Sequence, residues 1–474
     1  MILLYLSGAA LIGAALVFTR NGVLQRILSA LFLIVQTGLC VYAVQHLGKE
    51  NALYFTFDPL GVLLCLVLTI LSFPTFYHSF LYLNRHTVNK PNQRFYLAGL
   101  TLLIATMTGA YFSNHLGVMW VFIEATTLFV SVLIYHERTT LALEATWKYI
   151  FICSVGLSIS FMGILFLSTG TTQGGLTDLK IIDLVALAQN LDSRWIKITF
   201  LLGVTGFSAK MGLFPLHTVC IDAQTAAPSP VSAFISTTLM NVGFLGIFRL
   251  YTIVTQTEVC AWASRVLLIA GILSIAISAV QLLKVKHFKR MFAFSSLEHM
   301  GLIALGLAAG GVGYYAAILH VVLHSFTKAS LFYQIGQVRT IYNSYWVKDN
   351  GNYMKVNPAG AFVLILAFIG ISAIPPSGLF ISEFLIFQSL FVGNHIGVAI
   401  ATMFFLTIIL FVFGKNLLRL LYGQGDEFLA PQLVRVKRSE TFSQFGLLGM
   451  VILLCFYRPP FLNEMIQEAI AILK

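Results

Sequence analysis

The sequence predicts an all-α polytopic membrane protein with about fourteen transmembrane helices, forming a single membrane domain over residues 1–474. Three observations predict it. Of the 474 residues, 58% are hydrophobic and only 10% are charged, where a soluble domain carries about 25% charged residues. The apolar residues fall in continuous runs of the length that crosses a bilayer, about 20 residues for a helix. The few ionisable residues inside those runs gather in a small number of places, two of them interrupted by proline and glycine.

Taken in order, the runs are 2–19, 23–46, 59–84, 95–112, 114–135, 145–169, 197–226 (broken), 229–253, 262–283, 291–309, 311–338, 359–391 (broken), 394–421 and 441–458. The opening Met1-Ile-Leu-Leu-Tyr-Leu has no basic region and no small-residue cleavage site, so it is expected to be the first span and not a removed signal. Residues 176–190 mix Asp178, Lys180 and Asp183 with Leu, Ile and Val, as a short interfacial helix does. A second amphipathic stretch, 460–474, follows the last span. The organisation expected is three N-terminal helices (1–84), a first five-helix repeat (95–253), a second (262–421), and a last helix with its short tail (441–474).

Each of the two breaks holds one charged residue, Lys210 in the first and Glu383 in the second. The first reads Gly203-Val-Thr-Gly206-Phe-Ser-Ala-Lys210-Met-Gly-Leu-Phe-Pro215-Leu-His217 and continues through Asp222 to Ala226. The second reads Ile371-Ser-Ala-Ile-Pro375-Pro376-Ser-Gly378-Leu-Phe-Ile-Ser382-Glu383. A charge in the bilayer is expensive, and a helix break there frees backbone groups that lipid cannot satisfy. Both are tolerable only where protein or water lines the site, which points to an ion or proton path. The breaks lie five spans apart, an odd number, so spans 4–8 and 9–13 are expected to be inverted repeats.

Other ionisable residues in the spans are candidates for the same path. Glu124 lies near the centre of the fifth run, with Lys210 as its expected partner. The competing readings are a structural glutamate and a lysine snorkelling to the interface. His320, His324 and Lys328 are spaced four apart and form one stripe on a helix. Steps of about 6 Å suit proton transfer through an intervening water. A lone histidine would read as a hydrogen-bonded core residue, but three titratable groups in register read as a relay. Glu383 is read as the terminal exit or as the second repeat's counterpart of Lys210. His217 and Asp222 are read equally as loop caps or proton access, Glu298 and His299 as helix packing or proton access. Lys415 is read as part of the path or as a snorkelling lysine, and Arg249 as an interface anchor.

Several classes are excluded. The six cysteines, at positions 40, 65, 153, 220, 260 and 455, are isolated, with no CxxC or Cys/His cluster. No phosphate-binding glycine loop or HExxH motif occurs. No cofactor, metal or catalytic centre is therefore expected in this chain. The net charge of +11 need not mean nucleic acid. Seventeen basic residues fall in the odd-numbered loops, among them Lys90, Lys148, Lys289, Arg290 and Arg435, against six in the even-numbered ones. This bias places the odd loops in the cytoplasm and both termini on the outer face.

Longer motifs carry a family resemblance. Trp147-Lys148-Tyr149, Ala209-Lys210-Met-Gly-Leu-Phe-Pro215-Leu-His217, Ala227-Pro-Ser-Pro-Val-Ser-Ala233, His287-Phe-Lys-Arg290, Phe294-Ser-Ser-Leu-Glu298-His299-Met-Gly301 and His324-Ser-Phe-Thr-Lys328 resemble the antiporter-like subunits of respiratory complex I and of membrane-bound group 4 hydrogenases, such as hydrogenase-4 component F. The resemblance runs from about Leu60 to Gly414 and implies fourteen helices, broken helices seven and twelve, and a central hydrophilic axis. It implies an ion pair of Glu124 with Lys210, a helix-eleven His324 and Lys328, and a helix-twelve acid, Glu383. It makes Lys148 a further candidate. Asn241 stands where relatives carry a bridging lysine, and cannot carry its charge.

The function implied is proton translocation, or sodium translocation, by a membrane subunit of a redox-driven complex in a prokaryotic inner membrane. Its partners would be other membrane subunits and, through them, a peripheral redox arm. The alternative is a subunit of a cation/proton antiporter or of an inorganic-carbon uptake system without electron transfer. Reporter fusions after Lys90 and Lys289 are expected to read cytoplasmic; periplasmic signals at both would contradict the orientation.

Overall fold

Every run that the sequence marks as a span is helical. The structure, a computed structural model, describes residues 1–85, 93–173, 178–423 and 436–473. Lys90, Arg435 and the first two residues of the 176–190 segment lie outside the described residues. Among the described residues ten helices are each long and apolar enough to cross a membrane, and three shorter apolar ones accompany them. The chain is a multi-pass, all-α membrane protein. Its only described strands, β1 (Glu50–Ala52) and β2 (Phe55–Thr56), form a small antiparallel hairpin between spans.

The helices separate into two compact units, and the helices Ser229–Thr255, Cys260–Leu282 and Pro460–Ala471 contribute residues to both. The first unit holds Met1–Pro228, Thr238–Val266 and Glu464–Lys474. It contains α1 (Ile2–Phe18), α2 (Gly22–Gln45), α3 (Pro59–Arg85), α4 (Gln93–Phe112), α5 (Leu116–Ile134), α6 (Thr140–Gln173), the short α7 (Ile181–Ala186), α8 (Ser193–Met211) and α9 (Thr218–Ala226). The seventh run is thus two helices, α8 and α9, broken where Gly212 and Pro215 predict. The 176–190 segment forms α7 and a following 3₁₀ turn, Ala188–Asn190.

The ends at this break are closed by local groups, as a low-dielectric setting demands. Gly212 takes φ +72° at the end of α8, a left-handed conformation that costs glycine little. Its amide and that of Leu213 both donate to the Ser208 carbonyl. Leu216 N donates to the Ser208 hydroxyl, and Cys220 Sγ donates to the carbonyls of Ala209 and Lys210. α6 lies hard against α8: a Cβ at Gly206 would stand 2.3 Å from the Gly156 carbonyl oxygen. That close approach brings the side chains of α6 to Lys210.

The eighth run is α10 (Ser229–Phe234), a π-helical turn (Ile235–Leu239) and α11 (Met240–Thr255). Such a turn leaves a carbonyl unpaired by the helix. Tyr111 Oη donates to Thr238 O at 2.7 Å and satisfies it.

The second unit holds Ser229–Thr237 and Leu267–Asn463. It contains most of α12 (Cys260–Leu282), then α13 (Phe288–Ala309), α14 (Val312–Tyr342), the short α15 (Tyr353–Val356), α16 (Pro358–Ile371), α17 (Gly378–Val392), α18 (Ile396–Tyr422) and α19 (Arg438–Phe456). The last helix, α20 (Pro460–Ala471), is the expected amphipathic tail, and from Glu464 onward it belongs to the first unit. The twelfth run is broken into α16 and α17, and Ser377 accepts from Leu379 N to cap α17. α13 starts at a loop histidine: His287 Nδ1 accepts from Arg290 N. Burial, with Lys289, Arg290 and Arg339 nearby, pushes the His287 pKa down to about 4, so the ring stays neutral and can accept.

Candidate functional site

In the first unit the site is built around Lys210, at the end of α8. Its side chain is fully buried. The ammonium donates to Thr126 Oγ1 of α5 and Tyr149 Oη of α6, each at 3.0 Å, and lies 4.9 Å from the Tyr149 ring centre. Snorkelling is therefore not the arrangement here. Among the described residues Lys210 forms no ion pair with Glu124. That carboxylate is only half-buried and is held separately, by Ser154 Oγ at 2.7 Å and Thr127 Oγ1 at 3.5 Å. The two charges expected to be paired thus stand apart, each on neutral hydroxyls.

Around the break the other candidates divide. Lys148 is exposed, pairing with Glu144 at 2.5 Å and reaching Asp222 at 3.8 Å, so Asp222 of α9 is tied to the mouth of α6. His217 is half-buried just before α9. Asn241 is fully buried on α11.

Arg249 departs from its expected place as an interface anchor. It is buried and pairs with Asp58, whose carboxylate also accepts from Gly61 N at the start of α3. The signal for this partner was the Asp58-Pro59 dipeptide, a helix-start pattern whose carboxylate needs a counter-charge in an apolar setting.

In the second unit the stripe of α14 is fully buried at all three positions, His320, His324 and Lys328. It does not act alone. His299 of α13 stands between the two histidines, with ring centres 5.1 Å from each. His299 Nδ1 lies 3.0 Å from His320 Nε2 and 3.9 Å from Glu383 Oε1. Ser382 Oγ donates to Leu379 O, so it accepts from His320 Nδ1–H at 2.9 Å. That bond leaves His320 Nε2 with a lone pair facing His299.

Both ring nitrogens of His324, and His299 Nε2, have no partner among the described residues. Lys328 Nζ donates to the Phe292 carbonyl of α13 at 3.0 Å. Glu383 and Glu298 are buried and line one cavity of about 290 Å³ with Ser295, Ser372 and Thr407. Lys415 is exposed on α18, so the structure does not bring it to this cluster.

Orphaned polar atoms in a dry interior are rare because each costs about 1–3 kcal/mol. Their concentration on His299, His324 and Glu298 marks a place for water or ions. The sequence did not point to Tyr149, Thr126, Ser154 or Ser382. Hydroxyls are common in membrane helices, and only the packing of α5, α6 and α8, or of α14 and α17, selects these four.

Comparison with known proteins places these elements in a wider group. The family model described as NADH:quinone oxidoreductase/Mrp antiporter, TM, matches residues 113–410, the stretch that carries every candidate above except Lys415 and Asp58. The hydrogenase-4 component F homolog of Methylacidiphilum infernorum is 31% identical over 432 residues, covering 89% of each chain. Among solved structures, a chain of an archaeal respiratory membrane complex, the membrane-bound sulfane sulfur reductase, superposes with a TM-score of 0.87 at 20% identity, covering 100% of this chain and 97% of that one. A chain of the Mrp complex from a Dietzia species gives 0.83 at 17% identity, covering 98% and 97%. At these identities the two structures are likenesses of fold.

Removing one member of a buried pair strands the other charge, at a cost of about 3–5 kcal/mol. Arg249→Met is therefore expected to lower the thermal stability of the purified protein sharply, and the Asp58→Asn/Arg249→Met double variant to recover much of it. Equal melting of Arg249→Met and wild type would show that the pair contributes nothing.

Proposed function

We propose that this chain, which belongs to the NADH:quinone oxidoreductase/Mrp antiporter transmembrane family, moves protons across a prokaryotic inner membrane as one antiporter-like subunit of a larger redox-driven complex. Both termini are assigned to the outer face. Its partners are other membrane subunits, with a peripheral redox arm reached through them. The chain itself supplies the path and its partners supply the driving reaction.

The observation that carries this reading is the state of Lys210. The buried ammonium rests on two neutral hydroxyls and has no counter-ion in contact among the described residues. Thr126 and Tyr149 each hold one rotatable hydroxyl proton and oxygen lone pairs, so they can accept from an ammonium or donate to an amine. The same cradle therefore serves both protonation states without rebuilding the site. Contact between Glu124 and Lys210 would favour both charged forms, and separation in a low-dielectric setting favours the neutral ones. Making and breaking that contact is the loading and releasing step.

In the second unit the corresponding groups are Lys328, His324, His299, His320 and Glu383. His299 between the two α14 histidines shortens the expected steps along the stripe. Glu298, lining the same cavity as Glu383, adds a second acid where water can gather. Lys148 and Asp222 sit at the edge of the first site and act in proton access, while Lys415, exposed on α18, stands apart from the buried cluster.

Inverted vesicles carrying the assembled complex, driven by its redox reaction, test this. Glu124→Gln is expected to abolish acidification while the protein still inserts and assembles. Glu124→Asp is expected to retain part of it, because the charge stays and the reach shortens. Lys328→Met is expected to behave like Glu124→Gln, and His324→Gln to slow acidification without stopping it. Wild-type rates in both Glu124→Gln and Lys328→Met would sink the proposal.

A further inference from the structure

We infer that His299, His320 and Glu383 form a binding site for a divalent transition-metal ion of the zinc type, inside the second unit. One ligand atom from each of the three residues lies within 4.8 Å of the others. Two imidazoles and one carboxylate with a fourth position left to water is a familiar zinc donor set. Zinc bonds of about 2.0–2.2 Å at the tetrahedral angle put ligand atoms about 3.3 Å apart. The two nitrogens stand at 3.0 Å, and the carboxylate oxygen, 3.9 Å from His299 Nδ1 and within 4.8 Å of the His320 ligand atom, has up to about 1.5 Å to close.

The atoms around the ligands fit the same use. A ligating histidine is normally oriented through its other nitrogen by a fixed acceptor. Ser382 is that acceptor for His320 Nδ1–H, and it aims the Nε2 lone pair at His299. His299 Nε2 has no partner among the described residues, so its ring is free to carry its proton there and present the Nδ1 lone pair. Without a metal ion His299 Nδ1–H donates to His320 Nε2; with that proton moved to His299 Nε2, two lone pairs 3.0 Å apart face each other and a cation between them is favoured. A proton serves in the relay of the proposed function, and a metal ion is the other cation that fits.

Charge and access also agree. A divalent ion in the bilayer interior is tolerable only if neutralised. Glu383 and Glu298, which line the same cavity of about 290 Å³, supply two negative charges. That cavity meets the proposed site at Glu383 and is large enough to hold water beside its carboxylate. A bound ion takes the place of the proton between His299 and His320 and ties down Glu383. It rests on the proton route proposed above that such an ion also blocks translocation.

The assay uses the purified complex in lipid nanodiscs without a polyhistidine tag, titrated with Co²⁺ and then with Zn²⁺. The wild type is expected to show the saturable visible bands of tetrahedral Co²⁺, bleached as Zn²⁺ displaces it. His299→Gln and Glu383→Gln are expected to abolish the bands. Ser382→Ala, which keeps all three ligands, is expected to weaken binding about 10- to 100-fold. Lys328→Met interrupts the proton stripe but not the ligand set, and is expected to keep the bands. Should a ligand variant fail to assemble, Ser382→Ala decides alone: weakened bands support the site, and unchanged affinity overturns it. Absence of saturable bands in the wild type, or wild-type affinity in His299→Gln and Glu383→Gln, also overturns it. Bands displaced by Zn²⁺ with no loss of proton translocation would uphold the site and count against the proton route instead.

Discussion

A buried lysine ammonium without a carboxylate in contact is the constraint on which the first unit depends. Charge in hydrocarbon must be solvated by something, and here the solvent is protein. Lys210 reaches Thr126 and Tyr149 only because α8 ends where it does and α6 lies against it without a side chain at Gly206. The break that follows exposes carbonyls and amides, and these are closed by Ser208, Cys220 and the turn at Gly212. A continuous helix would have fewer loose backbone groups, and would not end beside the lysine.

The second unit meets the same demand with different chemistry. Its lysine, Lys328, lies in the middle of a long unbroken helix and is held by a backbone carbonyl of α13. Its break belongs to α16 and α17 and carries an acid, Glu383, after the interruption, where the first unit carries its base before it. Between them stand three histidines, and the nitrogens of His299 and His324 that have no partner among the described residues leave room for a mobile cation. Buried polar groups that are only partly satisfied are costly, and in a membrane interior they are signs of use and not of stability.

Much of this was legible in the sequence, for identifiable reasons. Span positions follow from composition, because a bilayer admits few alternatives to a hydrogen-bonded helix. Both breaks follow from Gly-Leu-Phe-Pro and Pro-Pro-Ser-Gly, where backbone chemistry forbids a continuous ladder. The stripe of His320, His324 and Lys328 follows from helical periodicity. What periodicity cannot supply is the neighbour across a helix pair. Helix packing and proton access are equal readings of Glu298 and His299 in the sequence, and only the place of His299 between His320 and His324 of α14 separates them. Arg249 looked like an anchor because its partner, Asp58, lies 191 residues away in the chain. The contact of Glu124 with Lys210 was expected from complementary charge, yet complementary charge does not say which of two arrangements a structure holds.

The account stands or falls on the charge at position 210 and not on the break itself. Acidification of inverted vesicles by the assembled complex, compared between wild type and Lys210→Met, separates the two. Methionine keeps the length and apolar stem of the side chain and leaves the backbone of the break in place. Loss of acidification, with the complex still assembled, is the result this account predicts. Acidification at the wild-type rate would make the broken helix an architectural feature only, and would contradict it.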